Sequence, residues 1–162
     1  VVAGPDDDCR IGNVNLDVLQ PYADNIIWNF GQCKKDLWFE GTDGTGMGIW
    51  GLVLPPYADV HATGRIDGQV FVKSFNSTAQ INMLHFDCLN NTQQTPCQQE
   101  YVDVFGCAES FNVFVKQDYH GGSDVQGRLA AGGTVSFDNG FSVGDQLFSK
   151  FWKLDVSRFI CA

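Results

Sequence analysis

Three histidines, His61, His85 and His120, are the side chains best suited to proton transfer near neutral pH, and they lie far apart along the chain. No G-x-S-x-G or comparable serine or cysteine nucleophile motif stands beside any of them, so a nucleophilic hydrolase is not indicated. Asp59, Asp67 and Asp124 could pair as the two carboxylates that glycan cleavage needs. Acids at the corners of short strands, however, commonly cap turns through hydrogen bonds to nearby backbone, and the same residues fit that role. Residues 41–48, Gly-Thr-Asp-Gly-Thr-Gly-Met-Gly, form a turn cluster without the lysine or the following helix of a phosphate loop. The run Asp6-Asp7-Asp8 points its carboxylates in divergent directions along an extended chain and reads as a solvated lead-in instead of a cation site. The expected set of catalytic, cofactor-binding and metal-binding residues is therefore empty.

The six cysteines, Cys9, Cys33, Cys88, Cys97, Cys107 and Cys161, contain no C-x-x-C pair and no histidine at zinc-ligand spacing. They are expected to form disulfides, each contributing about 2–4 kcal/mol by restricting the unfolded chain. Six cysteines permit about 15 pairings, and nearness in sequence favours Cys88 with Cys97. Two N-glycosylation sequons, Asn76-Ser77-Thr78 and Asn90-Asn91-Thr92, agree with an oxidising compartment. Secretion, to an extracellular surface or matrix, is the expected localisation. Val1 opens the chain with neither a start methionine nor a signal-like apolar segment, as in a mature or trimmed product.

At 162 residues and 44% hydrophobic content the chain can bury a core of its own. Its 10 basic and 19 acidic residues give a formal charge of −9, the wrong sign for nucleic acid or an anionic membrane. No apolar run reaches the roughly 18 residues of a membrane span.

The elements that must position these side chains read as short strands. Val14, Leu16 and Val18 alternate up to Gln20-Pro21, and Ile26-Ile27-Trp28-Asn29-Phe30 reads as a second, largely buried strand. Ile49 to Leu54, Ala58 to Ala62 and Gln69 to Phe75 follow, separated by Pro55-Pro56 and by Gly64 to Gly68. Asn112-Val113-Phe114-Val115 and the glycine-punctuated run Gly122 to Gly133 complete the pattern, with Val125, Leu129, Val135 and Phe137 as a candidate interior stack. Residues 146–156 fit a helix and a strand about equally. The polar stretch Asp87 to Cys107 reads as a disulfide-pinned connector. The predicted class is all-β, a β-helix or β-solenoid, with a β-sandwich as the alternative.

Two strings carry a resemblance. Phe111 to Gly144, with Ser123-Asp124-Val125-Gln126-Gly127-Arg128-Leu129-Ala130-Ala131-Gly132-Gly133 and Phe141-Ser142-Val143-Gly144, resembles the first half of the choice-of-anchor A family of extracellular adhesive domains. Asn25 to Phe75, with Gly51-Leu52-Val53-Leu54-Pro55-Pro56 and Gly64-Arg65-Ile66-Asp67-Gly68, resembles its second half, and more distantly the β-solenoid of secreted ice-binding proteins. Together they cover about half of the chain. On this reading 1–86 is the second-half segment, 87–108 the Cys-rich connector and 109–162 the first-half segment. The resemblance implies a non-enzymatic adhesive module with no catalytic residues to transfer.

The halves stand in reversed order, which a circular permutation, a tandem array or exchange between subunits would each explain. Exchange or an array predicts copies of the chain joined head-to-tail into a fibre or matrix through open strand edges. Glycans or matrix are the other expected partners, with Trp38-Phe39 as the exposed contact pair beside Lys34-Lys35. An ice-binding module and a polysaccharide-cleaving β-helix enzyme are alternatives. Thr42, Thr45, Thr63, Thr78, Thr92, Thr95 and Thr134 do not fall at one rung period, as an ice-binding face would require.

Overall fold

The computed structural model describes residues 8–12, 16–39, 48–84, 105, 108, 110–138 and 140–147. Its strands are all parallel, so each must be followed by a crossover before the chain returns to the same sheet. The front sheet contains β1 (Cys9–Ile11), β3 (Asp36–Phe39), β5 (Asp59–Ala62), β7 (Ser74–Ser77), β10 (Tyr119–Gly121) and β12 (Val135–Phe137), hydrogen-bonded in that order. The back sheet runs β2 (Ile27–Asn29), β4 (Ile49–Leu54), β6 (Ile66–Val72), β9 (Val113–Val115) and β11 (Leu129–Ala131), with β8 (Ile81–Asn82) paired to the start of β6. This is the parallel coil expected of a β-solenoid, and the β-sandwich alternative falls because its sheets would be antiparallel.

β4 and β6 each serve two sides. Their first residues join a third side, where Ile49, Ile66, Ile81, Val125 and Val143 align, and their last residues join the back sheet. The bend lies at Gly51 and Gly68, which are paired with each other. Gly51 has φ +113°, and a Cβ there would meet the Ile26 carbonyl; a Cβ on Gly68 would meet the Gly51 carbonyl. Only glycine lets adjacent corners nest this closely.

One turn of the coil is short. Asp59 and Ser74, in register on neighbouring rungs, are 15 residues apart, and His120 and Ser136 are 16 apart. Alternate residues enter the core as columns: Cys9, Leu37, Val60, Phe75, Tyr119 and Val135 align in the front sheet, and Trp28, Val53, Val70, Val113 and Leu129 align in the back. Leu37, Val53, Val60, Val70 and Val113 are wholly buried, each worth about 1.5–3 kcal/mol in apolar transfer. Phe75 and Tyr119 stack at 5.4 Å with ring planes 8° apart, as identical positions on successive rungs allow.

The amino-terminal end of the coil is plugged. Phe30 packs edge-on to Phe39, Leu16 and Trp28 lie against the core, and the Cys9–Cys33 disulfide ties β1 to the loop before β3. The pairing of Cys88, Cys97, Cys107 and Cys161 lies outside the described residues. At the other end Val135 and Phe137 occupy inward positions, yet both are exposed because they belong to the last described rung.

The expected strand over Val14 to Val18 is not formed where it is described: Asp17–Asn25 is a 3-10 helix, η1, containing Pro21, and Val18 is exposed. Period-two alternation over so few residues does not distinguish a strand from a crossing segment. η1 lies outside the back sheet and buries Ala23 against β4, while Leu52 N–H donates to the Ile26 carbonyl at 2.9 Å.

The two segments that resemble family halves stack directly on each other within one chain, β9 on β6 and β10 on β7, in chain order. Asn112 lies where the second segment meets the first. This asparagine closes the seam: its Nδ2 donates to the Gly68 and Asn82 carbonyls, and its Oδ1 accepts from Gly127 N–H at 3.1 Å.

Candidate interaction face

Outward-facing side chains on parallel rungs also align, and on the front sheet they form one central column: Arg10, Trp38, His61, Asn76, His120 and Ser136. Beside it Asp36, Asp59 and Ser74 form a second column. None of these residues is buried, and no described element lies over them.

The column is internally bonded. The Trp38 and His61 rings stack at 4.2 Å, 17° from parallel, and the Arg10 guanidinium approaches the Trp38 ring from the preceding rung at 5.8 Å. His61 Nε2 bonds Asp36 Oδ1 at 2.8 Å. Asp59 accepts from Ser74 Oγ at 2.5 Å and from Lys73 Nζ at 2.9 Å. Partial burial pushes the Asp59 carboxyl up, but the hydrogen bonds from Ser74 and Lys73 and the nearby positive charge outweigh it and hold the group below its ordinary value of 3.8. The tie is therefore intact at neutral pH and weakens only as pH falls through that lowered value.

Toward the carboxyl end, His120 Nδ1 bonds Ser136 Oγ at 2.8 Å and Nε2 bonds Asp138 Oδ2 at 3.1 Å. A serine, an imidazole and a carboxylate are thus in contact. They lie exposed on a flat strand face, where the ring bonds Ser136 because the two are register partners. No donor pocket for a developing oxyanion accompanies them among the described residues. The three aspartates considered for glycan cleavage do not converge. Asp59 is on the front face; Asp67 is buried at a corner with Arg65 Nε at 2.5 Å and Asn82 Nδ2 at 2.6 Å; Asp124 Oδ1 accepts from Ser142 N–H at 2.7 Å. Asp59 and Asp67 are held by side chains and Asp124 by the backbone of Ser142 on the next rung, so the three tie rungs and corners together and do not cap their own turns.

The expected Trp38-Phe39 contact pair is split. Adjacent residues in a strand point to opposite sides, so Trp38 faces out while Phe39 is 3% exposed in the core. Nor is Trp38 a free stacking platform, since Arg10 and His61 stand over its two faces and its indole Nε1 is shut in without a hydrogen-bond partner among the described residues. Asn76 is exposed at the middle of the column, whereas Asn90 and His85 lie outside the described residues. Sequence reasoning singled out neither His61, Asn76 and His120 as one line nor the Asp36–His61 bond. Their spacings along the chain are irregular, because the loops between rungs differ in length.

The back sheet is different. Its outer residues Trp50 and Leu52 are 8% and 0% exposed, with η1 packed on β4, and Phe71 is covered by Phe105 at 5.2 Å. Cover on the back is confined to its centre, since Ile27 and Phe114 remain 45% and 37% exposed, whereas on the front face no described element covers any part of the column.

No curated protein and no solved structure matches the chain. A family profile does, that of the putative ice-binding-like adhesive domain, over residues 1–83 and 104–156. The match is interrupted after β8 and resumes ahead of Asn112 and β9. It thus takes in both stacked segments in the order in which they occur. With most of its length matched, the chain belongs to the family of putative ice-binding-like adhesive domains.

Proposed function

We propose that the protein is a non-enzymatic adhesive module of an extracellular surface or matrix, and that it binds its partner through the outer face of the front sheet. The observation that carries this reading is the contrast in cover: at the centre of the back sheet the outer side chains Trp50, Leu52 and Phe71 are buried, while six front-sheet rungs present a continuous outward column of mainly polar side chains. Family membership supports adhesion, and the string-level resemblance to choice-of-anchor A domains points the same way. Oxidising surroundings fit the Cys9–Cys33 disulfide. Glycans are the partner class that this face suits, since carboxylates, imidazoles, amides and hydroxyls together offer both donors and acceptors to sugar hydroxyls.

A glycan array probed with the purified chain tests the proposal. Binding that falls at least about tenfold in a Trp38→Ala/His61→Ala/His120→Ala variant, a loss of about 1.4 kcal/mol, with an unchanged thermal midpoint, is expected. Undiminished binding by that variant would remove the front face from the function. Ice binding is the competing use of a flat face, and thermal hysteresis in dilute solution would favour it. Among the described threonines only Thr63 and Thr78 follow equivalent positions on neighbouring rungs, a short hydroxyl array for that purpose.

A second reading, self-association into a fibre, rests on the other end of the coil, where β12 is an edge strand and Val135, Phe137 and Val143 are exposed. Docking of this edge onto the amino-terminal rung of the next copy, with displacement of the residues that plug it, would propagate head-to-tail, whereas contact between two carboxyl-terminal rungs would stop at a dimer. A strictly monomeric species on size-exclusion chromatography across a hundredfold dilution would eliminate it.

A further inference from the structure

We propose that Asn76 is an N-glycan acceptor and that the glycan it carries masks the front face, so that glycosylation decides whether this surface is available. The masking step builds on the reading of the front face as the adhesive surface; the acceptor step does not.

In a strand, residues i and i+2 face the same side, and in Asn76-Ser77-Thr78 the first and third residues are the ones a transferase reads. Asn76 and Thr78 are both exposed, while Ser77 between them is 4% exposed and faces inward. The structural work falls to that middle residue. Ser77 Oγ donates to the Ala62 carbonyl at 2.9 Å and accepts from Ala79 N–H at 2.8 Å, tying rung to rung. The sequon therefore separates its duties, with acceptor amide and recognised hydroxyl outside and the fold's hydrogen bonds inside. Asn76 makes no side-chain hydrogen bond to a described residue, so its amide is not committed to the ladder.

The chemistry needs no redox partner. Asn76 Nδ2 attacks the anomeric carbon of an oligosaccharide held on a polyprenyl pyrophosphate. A C–N bond forms, the C–O bond to pyrophosphate breaks, an amide proton is lost and the lipid pyrophosphate leaves.

The consequence follows from register. Asn76 pairs with His61 on one side and His120 on the other, so it is the midpoint of the column. Neighbouring rungs are about 4.8 Å apart, and a branched oligosaccharide rooted at Asn76 extends over both imidazoles and the Asp36 and Asp59 carboxylates beside them.

The test is to secrete the full chain from a glycosylating eukaryotic cell and map peptides after N-glycosidase release in heavy-oxygen water. Asn76 is expected to be converted to labelled aspartate; an unlabelled Asn76 in folded, secreted protein would overturn the acceptor assignment. Thr78→Ala is expected to abolish the label and Thr78→Ser to retain it, with thermal midpoints confirming that both fold. Masking is then read without any ligand, by the rates at which diethyl pyrocarbonate modifies His61 and His120. These rates are expected to be severalfold slower in the glycosylated chain than in Thr78→Ala. Equal rates would overturn the mask, whatever the glycan array says of the front face itself.

Discussion

The front and back sheets are made by the same device, short parallel strands whose alternate side chains fill one core, yet their outer faces have opposite fates. On the back, Leu52 and Phe71 point away from the core and are buried all the same, because η1 and Phe105 fold over them. On the front, the equivalent positions carry Trp38, His61, Asn76 and His120, all left in water, with Trp38, His61 and His120 held by neighbouring side chains. Apolar outer residues recruit cover, since each buried one gains about 1.5–3 kcal/mol. Polar outer residues satisfied by their neighbours recruit none and remain available for another molecule. The two faces should accordingly separate stability from binding.

The largest effect is expected at the nested corners leading into the covered face. Gly68→Ala should destabilise by about 3 kcal/mol, because its Cβ would collide with the Gly51 carbonyl. Urea denaturation measures it, and a loss below about 1 kcal/mol would mean that the bend does not need close backbone approach.

Next is the core between the faces. Burial pushes the Tyr119 phenol up to about 12 from its ordinary 10.0. Its folded-state pKa is raised, so its contribution is complete below pH 10 and is lost as pH rises toward 12, amounting to about 2–3 kcal/mol. Alkaline denaturation of wild type and Tyr119→Phe should diverge over that interval. Coincident curves would show that this phenol does not titrate with unfolding.

Asn112→Ala, at the seam beside the back sheet, should cost about 2 kcal/mol by orphaning the Gly68 and Asn82 carbonyls and the Gly127 N–H. Calorimetric melting checks it. The smallest effect is expected on the open face: His61→Ala should change stability by about 1 kcal/mol or less, although it removes both the Trp38 stack and the Asp36 bond. A larger loss would mean that the front column holds the fold together, and the contrast between the faces would fail.

Much of the coil was legible along the chain. Glycine-bounded strands with β-branched interiors foretold a solenoid; of the expected interior stack Val125 is wholly buried and Leu129 packs against the core, while Val135 and Phe137 are exposed on the last described rung. The candidate site was less legible. Trp38 and Phe39 look alike as neighbours in sequence, and only the direction of the pleat puts one in water and the other in the core. The alternation of Val14, Leu16 and Val18 predicts a strand where η1 begins at Asp17, a pattern too short to carry a period.

By itself the sequence determined the class of fold, the absence of a nucleotide-loop or nucleophile motif, and a net charge that repels polyanions. These depend on composition and local periodicity, which each segment carries within itself. Tertiary structure alone decided which strands pair, that Cys9 meets Cys33, that β9 continues the stack left at β6, and that His61, Asn76 and His120 form one line. Register between rungs is set by columns of core side chains and by corner contacts such as Gly51 with Gly68. Those contacts join residues whose separation varies with every loop, so no fixed spacing along the chain records them.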